Sequence, residues 1–162
     1  MVHNMQNIQE EAEFSLYKEY MEELWLYCPE DKREDDVALR EGYDELMNTD
    51  RVHFHKIYHA NQYIGFLVIE ELKEKDRENL KTKYYVNEAY IVPEYRKIGL
   101  MSSALDQILS QIPSESICLH VIRNNPAAID FWMSYFRKRQ YNYMFLPDYE
   151  GYEHCSFYKF YK

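Results

Sequence analysis

The order of periodicities along the chain predicts a mixed α/β domain, with a mostly antiparallel central sheet and about four helices flanking it. Three observations lead there. Apolar residues recur at three- and four-residue spacing in four stretches, period-two or β-rich runs lie between and after them, and Pro, Gly or Asn-Pro marks most junctions. With 162 residues, 46% of them hydrophobic, the chain can bury a real core, and one domain over residues 1–162 is expected.

Residues 10–27 place Phe14, Tyr17, Met21, Leu24 and Trp25 on one stripe, an amphipathic first helix. Cys28-Pro29 ends it, because the residue before proline is pushed out of the helical region. A second helix follows over Val37 to Met47, with Val37, Leu39, Tyr43 and Leu46 or Met47 at helical spacing. From Val52 the period changes to two. Asn61-Gln62 can turn this strand into a hairpin whose second strand is Tyr63 to Glu70.

Residues 70–83 are nearly all polar or charged and are expected to form a solvated connection. Tyr84 to Val92 is aromatic and β-branched and stops at Pro93, as a central strand must. Leu100, Ala104, Leu105, Ile108 and Ile112 define a third helix over Gly99 to Ile112, which Pro113 ends, and Ile117 to Ile122 is the next strand. Asn125-Pro126 reads as an N-cap followed by proline at the first helical position, starting a fourth helix that reaches roughly Arg139. Tyr141 to Leu146 and Glu153 to Tyr161 read as strands joined by the turn-rich segment 147–151.

Composition excludes several classes of function. A net charge of -9 argues against a phosphate-backbone partner and suits a cationic small substrate. Cys28, Cys118 and Cys155 are odd in number and lack CxxC spacing, so neither a disulfide framework nor a zinc site is indicated. No run approaches about 18 apolar residues, and the N-terminus lacks a basic stretch followed by an apolar one. A soluble cytoplasmic protein with no membrane partner is expected. His53, His55 and His59 share one strand face with Arg51 and Ile57, but no carboxylate or cysteine completes a metal set, and no metal is expected. Cys118 and His120 also alternate on one face, the thiol reading as a small packed group.

The chemistry is concentrated where the strand ending at Val92 gives way to the third helix. Helix starts collect anions, because unpaired N–H groups and the positive end of the dipole converge there. Backbone from Lys97 to Ser102 could cradle a pyrophosphate, with Arg96 and Lys97 adding charge.

The stretch from Val92 to Leu105 resembles the signature of the GNAT acetyltransferases, in which Pro-Glu-Tyr-Arg precedes Q/R-x-x-G-x-G/A. Here that signature stands as Arg96-Lys97-Ile98-Gly99-Leu100-Met101. Tyr63-Ile64-Gly65-Phe66 looks like the family's preceding strand, and the run from Asn125 to Trp132 resembles N-x-x-A-I-x-F-Y. The resemblance covers about residues 52–162. It implies a sheet splayed between the strand ending at Val92 and the strand beginning at Ile117. The pantetheine arm of acetyl-CoA would insert there and pair with backbone near Ile91 and Val92.

The resemblance further implies that Arg96, Lys97, Ile98, Gly99, Leu100, Met101 and Ser102 hold the pyrophosphate and that Asn125 borders the pantetheine. The implied reaction is attack of a primary amine of a small, cationic acceptor on the thioester, with acetyl-CoA as co-substrate. Glu88, in a run similar to E-G-x-x-V-x-P-E-Y-R of some relatives, is the expected base, against the alternative of a strand glutamate facing water. Small folds of this kind often dimerise through sheet edges or C-terminal strands, so a homodimer is among the implied assemblies.

Two departures from the pattern stand out. Met101 occupies the position of a Gly or Ala, and Trp132 that of the tyrosine acid. Tyr135, one turn later, is the candidate substitute, against a core role for the same side chain. The two departures together also define an alternative, a catalytically degenerate acyl-CoA-binding or regulatory domain.

Overall fold

The computed structural model describes residues 2–162, with side chains from Glu10 onward. It divides into two compact units, Met1–Thr49 and Asp50–Lys162.

The first unit is a pair of helices, α1 (Val2–Leu24) and α2 (Asp36–Asn48). The side chain of Asp35 accepts from the N–H groups of Val37 and Ala38, the N-cap that opens α2. Tyr43 of α2 packs its ring on Phe14 and Tyr17 of α1, at centroid distances of 5.4 and 5.1 Å. Arg40 reaches Glu11 at 3.1 Å and Asp36 takes Lys18 at 2.7 Å, so two ion pairs join the helices beside their aromatic contact. Helix α1 starts well before the stripe that announced it and ends at Leu24, three residues earlier than read.

The second unit carries β1 (Val52–His59), β2 (Gln62–Glu71), α3 (Glu74–Leu80), β3 (Tyr84–Ile91), α4 (Leu100–Gln111), β4 (Ser116–Ile122), α5 (Pro126–Arg139), β5 (Asn142–Phe145) and β6 (Cys155–Tyr161). The six strands form one sheet in the order β1-β2-β3-β4-β6-β5. Among the described residues the β3–β4 pair is parallel and every other neighbouring pair antiparallel. Ala60 and Asn61 both take positive φ to close the β1–β2 hairpin with two residues, the geometry that matches strand twist.

One side of this sheet is covered by α4 and α5. Leu67, Ile69, Tyr84, Val86, Leu119 and Val121 pack there with Leu105, Leu109, Trp132, Tyr135, Phe136 and Phe160 in one buried cluster. Apolar side chains at period two from the strands and near period 3.6 from the helices meet in it.

The described residues hold five α-helices rather than about four. The added one is α3, within the stretch expected to be a solvated connection, and none of its residues is buried. Tertiary contacts hold it in place of an apolar stripe. Arg77 Nε donates to Leu72 O at 2.6 Å, and the buried Lys159 of β6 donates to Leu80 O and Lys81 O at 2.8 and 2.9 Å, where the helix dipole is negative. No helix among the described residues is long and apolar enough to cross a membrane.

Candidate active site

β3 and β4 stay together for three rungs, Tyr84 with Ile117, Tyr85 with Cys118 and Val86 with Leu119, and then separate. The register of β3 on β2 slips at the same place. Val68 faces Glu88 but Ile69 faces Val86, which leaves Asn87 as the extra residue of a β-bulge. The bulge bends β3 away from β4 while β2 keeps its hold through Ile91.

Backbone groups on the open side follow from alternation. Val92 N–H donates to Ile64 O at 2.9 Å, so Val92, Tyr90 and Glu88 turn their backbone toward β2, and Ala89 and Ile91 turn theirs toward the gap. Of the backbone near Ile91 and Val92 expected to meet a ligand, that of Ile91 lies on the gap side, whereas the N–H of Val92 donates to β2. Ala89 was not anticipated, since its place depends on the phase of the bulge.

Gly65 makes the close approach of β2 and β3 workable. A Cβ there would overlap the carbonyl oxygen of Tyr90 and lie 2.9 Å from the Ile91 Cα. The glycine of Tyr63-Ile64-Gly65-Phe66 is a packing requirement of the strand that carries the site.

Beyond Ile91 a 3-10 turn, Pro93–Tyr95, leads into α4. Lys97 and Gly99 both take positive φ, 65° and 90°, and Gly99 is an N-cap with no side chain to satisfy the first N–H groups of the helix. The N–H groups of Leu100, Met101 and Ser102 fall in the first turn, where no carbonyl of the helix can accept them. Lys97, Ile98 and Gly99 are exposed beside that turn. Met101 points the other way: its side chain packs against Ile57, Ile64 and Ile91 and against the main cluster. Met101 thus stands at the position of the expected small residue with its side chain in apolar packing.

Arg96 is placed differently from expectation. Its Nε donates to Ile91 O at 2.7 Å and its guanidinium lies over the Tyr90 ring, 5.3 Å from the centroid. It braces the end of β3 and takes one carbonyl on the gap side. Asn125 accepts from Ala128 N–H at 3.1 Å, so its side chain caps α5.

Glu88 and Tyr135 are not brought together. Ala89 packs against the α4/α5 cluster, which puts Glu88 on the other side of the sheet, where it is partly buried. Tyr135 lies inside that cluster, its hydroxyl donating to Asp106 of α4 at 2.9 Å. Burial first, and the bond to Asp106 second, push the Tyr135 phenol far above its ordinary range. Trp132 is buried beside it.

On the Glu88 side the structure adds a pair that sequence reasoning did not join. The Tyr85 hydroxyl is hydrogen-bonded to Nδ1 of His120, and the two rings stack at 5.8 Å and 22°. Burial, with His154 adding to it, lowers the His120 pKa to about 4. Burial and then the charge of Glu88 push the Tyr85 phenol well above its usual range. His120 was visible in the sequence beside Cys118; nothing local marked Tyr85 among the tyrosines.

His55 is partly buried and its pKa lowered by that burial, while His53 lies 3.6 Å from Glu71. Among the described residues no group of His, Cys, Asp and Glu could hold a metal ion.

The sequence model of the Acetyltransferase (GNAT) family matches residues 12–136. No curated protein matches the sequence. Solved structures do match in fold. An N-acetyltransferase from Staphylococcus aureus Mu50 aligns over 93% of this chain and 95% of its own, with 15% identity and a TM-score of 0.59. Arabidopsis thaliana Naa50, in complex with the bisubstrate analogue CoA-Ac-MVNAL, aligns over 78% and 81% with 20% identity and a TM-score of 0.51. Diaminobutyrate acetyltransferase EctA from Paenibacillus lautus, in complex with L-2,4-diaminobutyric acid and coenzyme A, aligns over 64% and 66% with 14% identity and a TM-score of 0.50.

Proposed function

Because the chain belongs to the GNAT acetyltransferase family, we propose that it transfers the acetyl group of acetyl-CoA to a primary amine of a small, cationic acceptor. The observation that carries this reading is the gap between β3 and β4. It opens after three paired rungs, presents the backbone of Ala89 and Ile91, and leads through Lys97, Ile98 and Gly99 to the uncapped start of α4.

Acetyl-CoA, when bound, supplies the thioester carbonyl that the amine attacks. Lys97 and the N–H groups of Leu100, Met101 and Ser102 would hold its pyrophosphate, and backbone of Ala89 and Ile91 its pantetheine. Arg96 acts in this reading by fixing the end of β3, and Asn125 by fixing the start of α5. Glu88 takes the proton from the acceptor ammonium. The net charge of -9 and the carboxylate of Glu88 favour a cationic acceptor over an anionic one.

The chain is read as one functional domain over residues 1–162, a reading supported by the alignment of 93% of it with the Staphylococcus aureus protein. A cytoplasmic setting suits Cys28, Cys118 and Cys155, none of which is in a disulfide. A homodimer formed through a sheet edge is the assembly to test, by light scattering.

The test of function is thiol release from acetyl-CoA with a panel of polyamines, aminoglycosides, amino acids and peptide N-termini. Turnover of a cationic amine with loss in Glu88→Gln supports the reading; equal turnover by Glu88→Gln removes the base. One observation favours a second reading, a domain that binds acyl-CoA without turnover. Trp132 is buried in the core and the Tyr135 hydroxyl is engaged by Asp106, so α5 offers no phenol for the leaving thiolate. Tight acetyl-CoA binding with no turnover across the panel would select it.

A further inference from the structure

We propose that Tyr85 orients the acceptor amine, its phenolic oxygen taking one N–H of the nitrogen that Glu88 deprotonates, and that His120 is the positioning residue that holds Tyr85 for this task. The inference rests on the amine-acetylation reading and on Glu88 as its base.

Geometry is the first support. Tyr85 belongs to β3 and His120 to β4, the two strands that separate. Tyr85 stands on the second of the three paired rungs, and His120 is the first β4 residue beyond the last of them. Their hydrogen bond therefore spans the point where the gap opens. Tyr84 and Val86 pack toward α4 and α5, as do Leu119 and Val121, so Tyr85 and His120 both face the opposite side. The bulge at Asn87 consumes one residue of β3, which brings Glu88 onto that same side.

The surroundings are the second support. Burial first and the charge of Glu88 second raise the Tyr85 phenol, so the Glu88 carboxylate lies near it. His120 meets the rings of Phe157 at 5.6 Å and Tyr152 at 6.4 Å, with His154 close enough to affect its charge. The pair thus meets aromatic rings from β6 and the loop before it, with the Glu88 carboxylate of β3 nearby.

The chemistry decides the role. An imidazole with a pKa near 4 is neutral at physiological pH, and the phenol keeps its proton, so neither group can take a proton from an ammonium. Between a neutral phenol and a neutral imidazole the phenol is much the stronger acid. The bond is therefore O–H to Nδ1, with the remaining imidazole proton on Nε2. Donating to nitrogen makes the phenolic oxygen a better acceptor for an N–H from another direction. A primary ammonium presents several N–H groups. With one on Glu88 and a second on Tyr85, its rotation about the C–N bond is fixed before the proton leaves.

The test compares Tyr85→Phe, His120→Phe and His120→Asn with Glu88→Gln, on a primary amine that the wild type acetylates. Each variant is first checked by circular dichroism and acetyl-CoA affinity. Tyr85→Phe and His120→Phe should lower kcat/KM by roughly tenfold or more with acetyl-CoA affinity unchanged, the scale of one lost orienting hydrogen bond. His120→Asn keeps an acceptor near the place of Nδ1 and should recover most of that loss. Nitrogen NMR of the wild type should show His120 protonated at Nε2.

Wild-type rates in Tyr85→Phe beside an inactive Glu88→Gln would overturn the inference and leave the function standing. A wild type that binds acetyl-CoA but acetylates no amine would remove the function and the inference together. If His120→Phe fails to fold, Tyr85→Phe and the NMR tautomer decide, and a proton on Nδ1 rejects the arrangement.

Discussion

The hydroxyl of Tyr135 on α5 donates to Oδ1 of Asp106 on α4 at 2.9 Å, and the guanidinium of Arg139 grips the same carboxylate, with Nε at 2.7 Å from Oδ1. The three groups form a clamp between the two helices that cover one side of the sheet. The Arg139 hydrogen bonds, more than any other influence, hold the Asp106 carboxyl below its ordinary pKa.

Tyr135→Phe should therefore cost stability and leave the chemistry alone. Removing one bond to a charged acceptor is worth about 1–2 kcal/mol, and the pH profile of acetyl transfer should match the wild type. A profile that loses its basic limb would instead make Tyr135 the general acid.

Gly65→Ala should be far more damaging than its size suggests, because the added Cβ meets backbone rather than a side chain that can move. Overpacking of this kind costs about 3 kcal/mol or more, and a fall of roughly 6 °C or more in Tm is expected. An unchanged melting curve would mean that β2 and β3 are not this close.

At Gly99 the reverse holds. A Cβ would meet open space, but φ is 90°. Gly99→Ala should cost about 1–2 kcal/mol through backbone strain alone. Gly99→Glu should in addition abolish the rise in Tm that acetyl-CoA gives the wild type, as a carboxylate at the helix start repels pyrophosphate. An equal rise in both variants would place the cofactor elsewhere.

Met101→Ala separates two views of this loop. With its side chain packed against Ile57, Ile64 and Ile91, truncation should destabilise by about 2 kcal/mol and leave acetyl-CoA affinity unimproved. Tighter binding in the variant would show that Met101 obstructs the loop.

His120 makes stability depend on pH with a definite sign. The folded chain resists protonation there until about pH 4, whereas the unfolded chain protonates near 6.5, so the unfolded state binds more protons between these values. Stability contributed by the neutral imidazole is full above pH 7 and is lost as the pH falls toward 4. Between pH 7 and 5 the loss is about 2 kcal/mol, and His120→Asn should flatten that part of the curve. Equal slopes for both proteins would deny the burial of His120.

Much of this architecture is legible in the sequence, for local reasons. Asn125-Pro126 announces α5, Gly99 the start of α4, and the period-two run from Val52 the first hairpin, because each signal and its structure lie within a few residues of one another. Helix α3 escapes such reading: its support is Lys159, about half the chain away. Tyr85 and His120 are brought together by the register of two parallel strands, 35 residues apart. The turning of Val92 toward β2 depends on a bulge at Asn87, a position with no glycine or proline to mark it.

Lys159 gives α3 an unusual standing among the helices. A helix with no buried side chain of its own, held at its last carbonyls by a cation from the far end of the chain, is the element expected to open before the packed interior does. Its amides should exchange with solvent by local opening, many times for each excursion of the whole domain. Opening there is thus expected to be local, separate from the cooperative loss of the sheet.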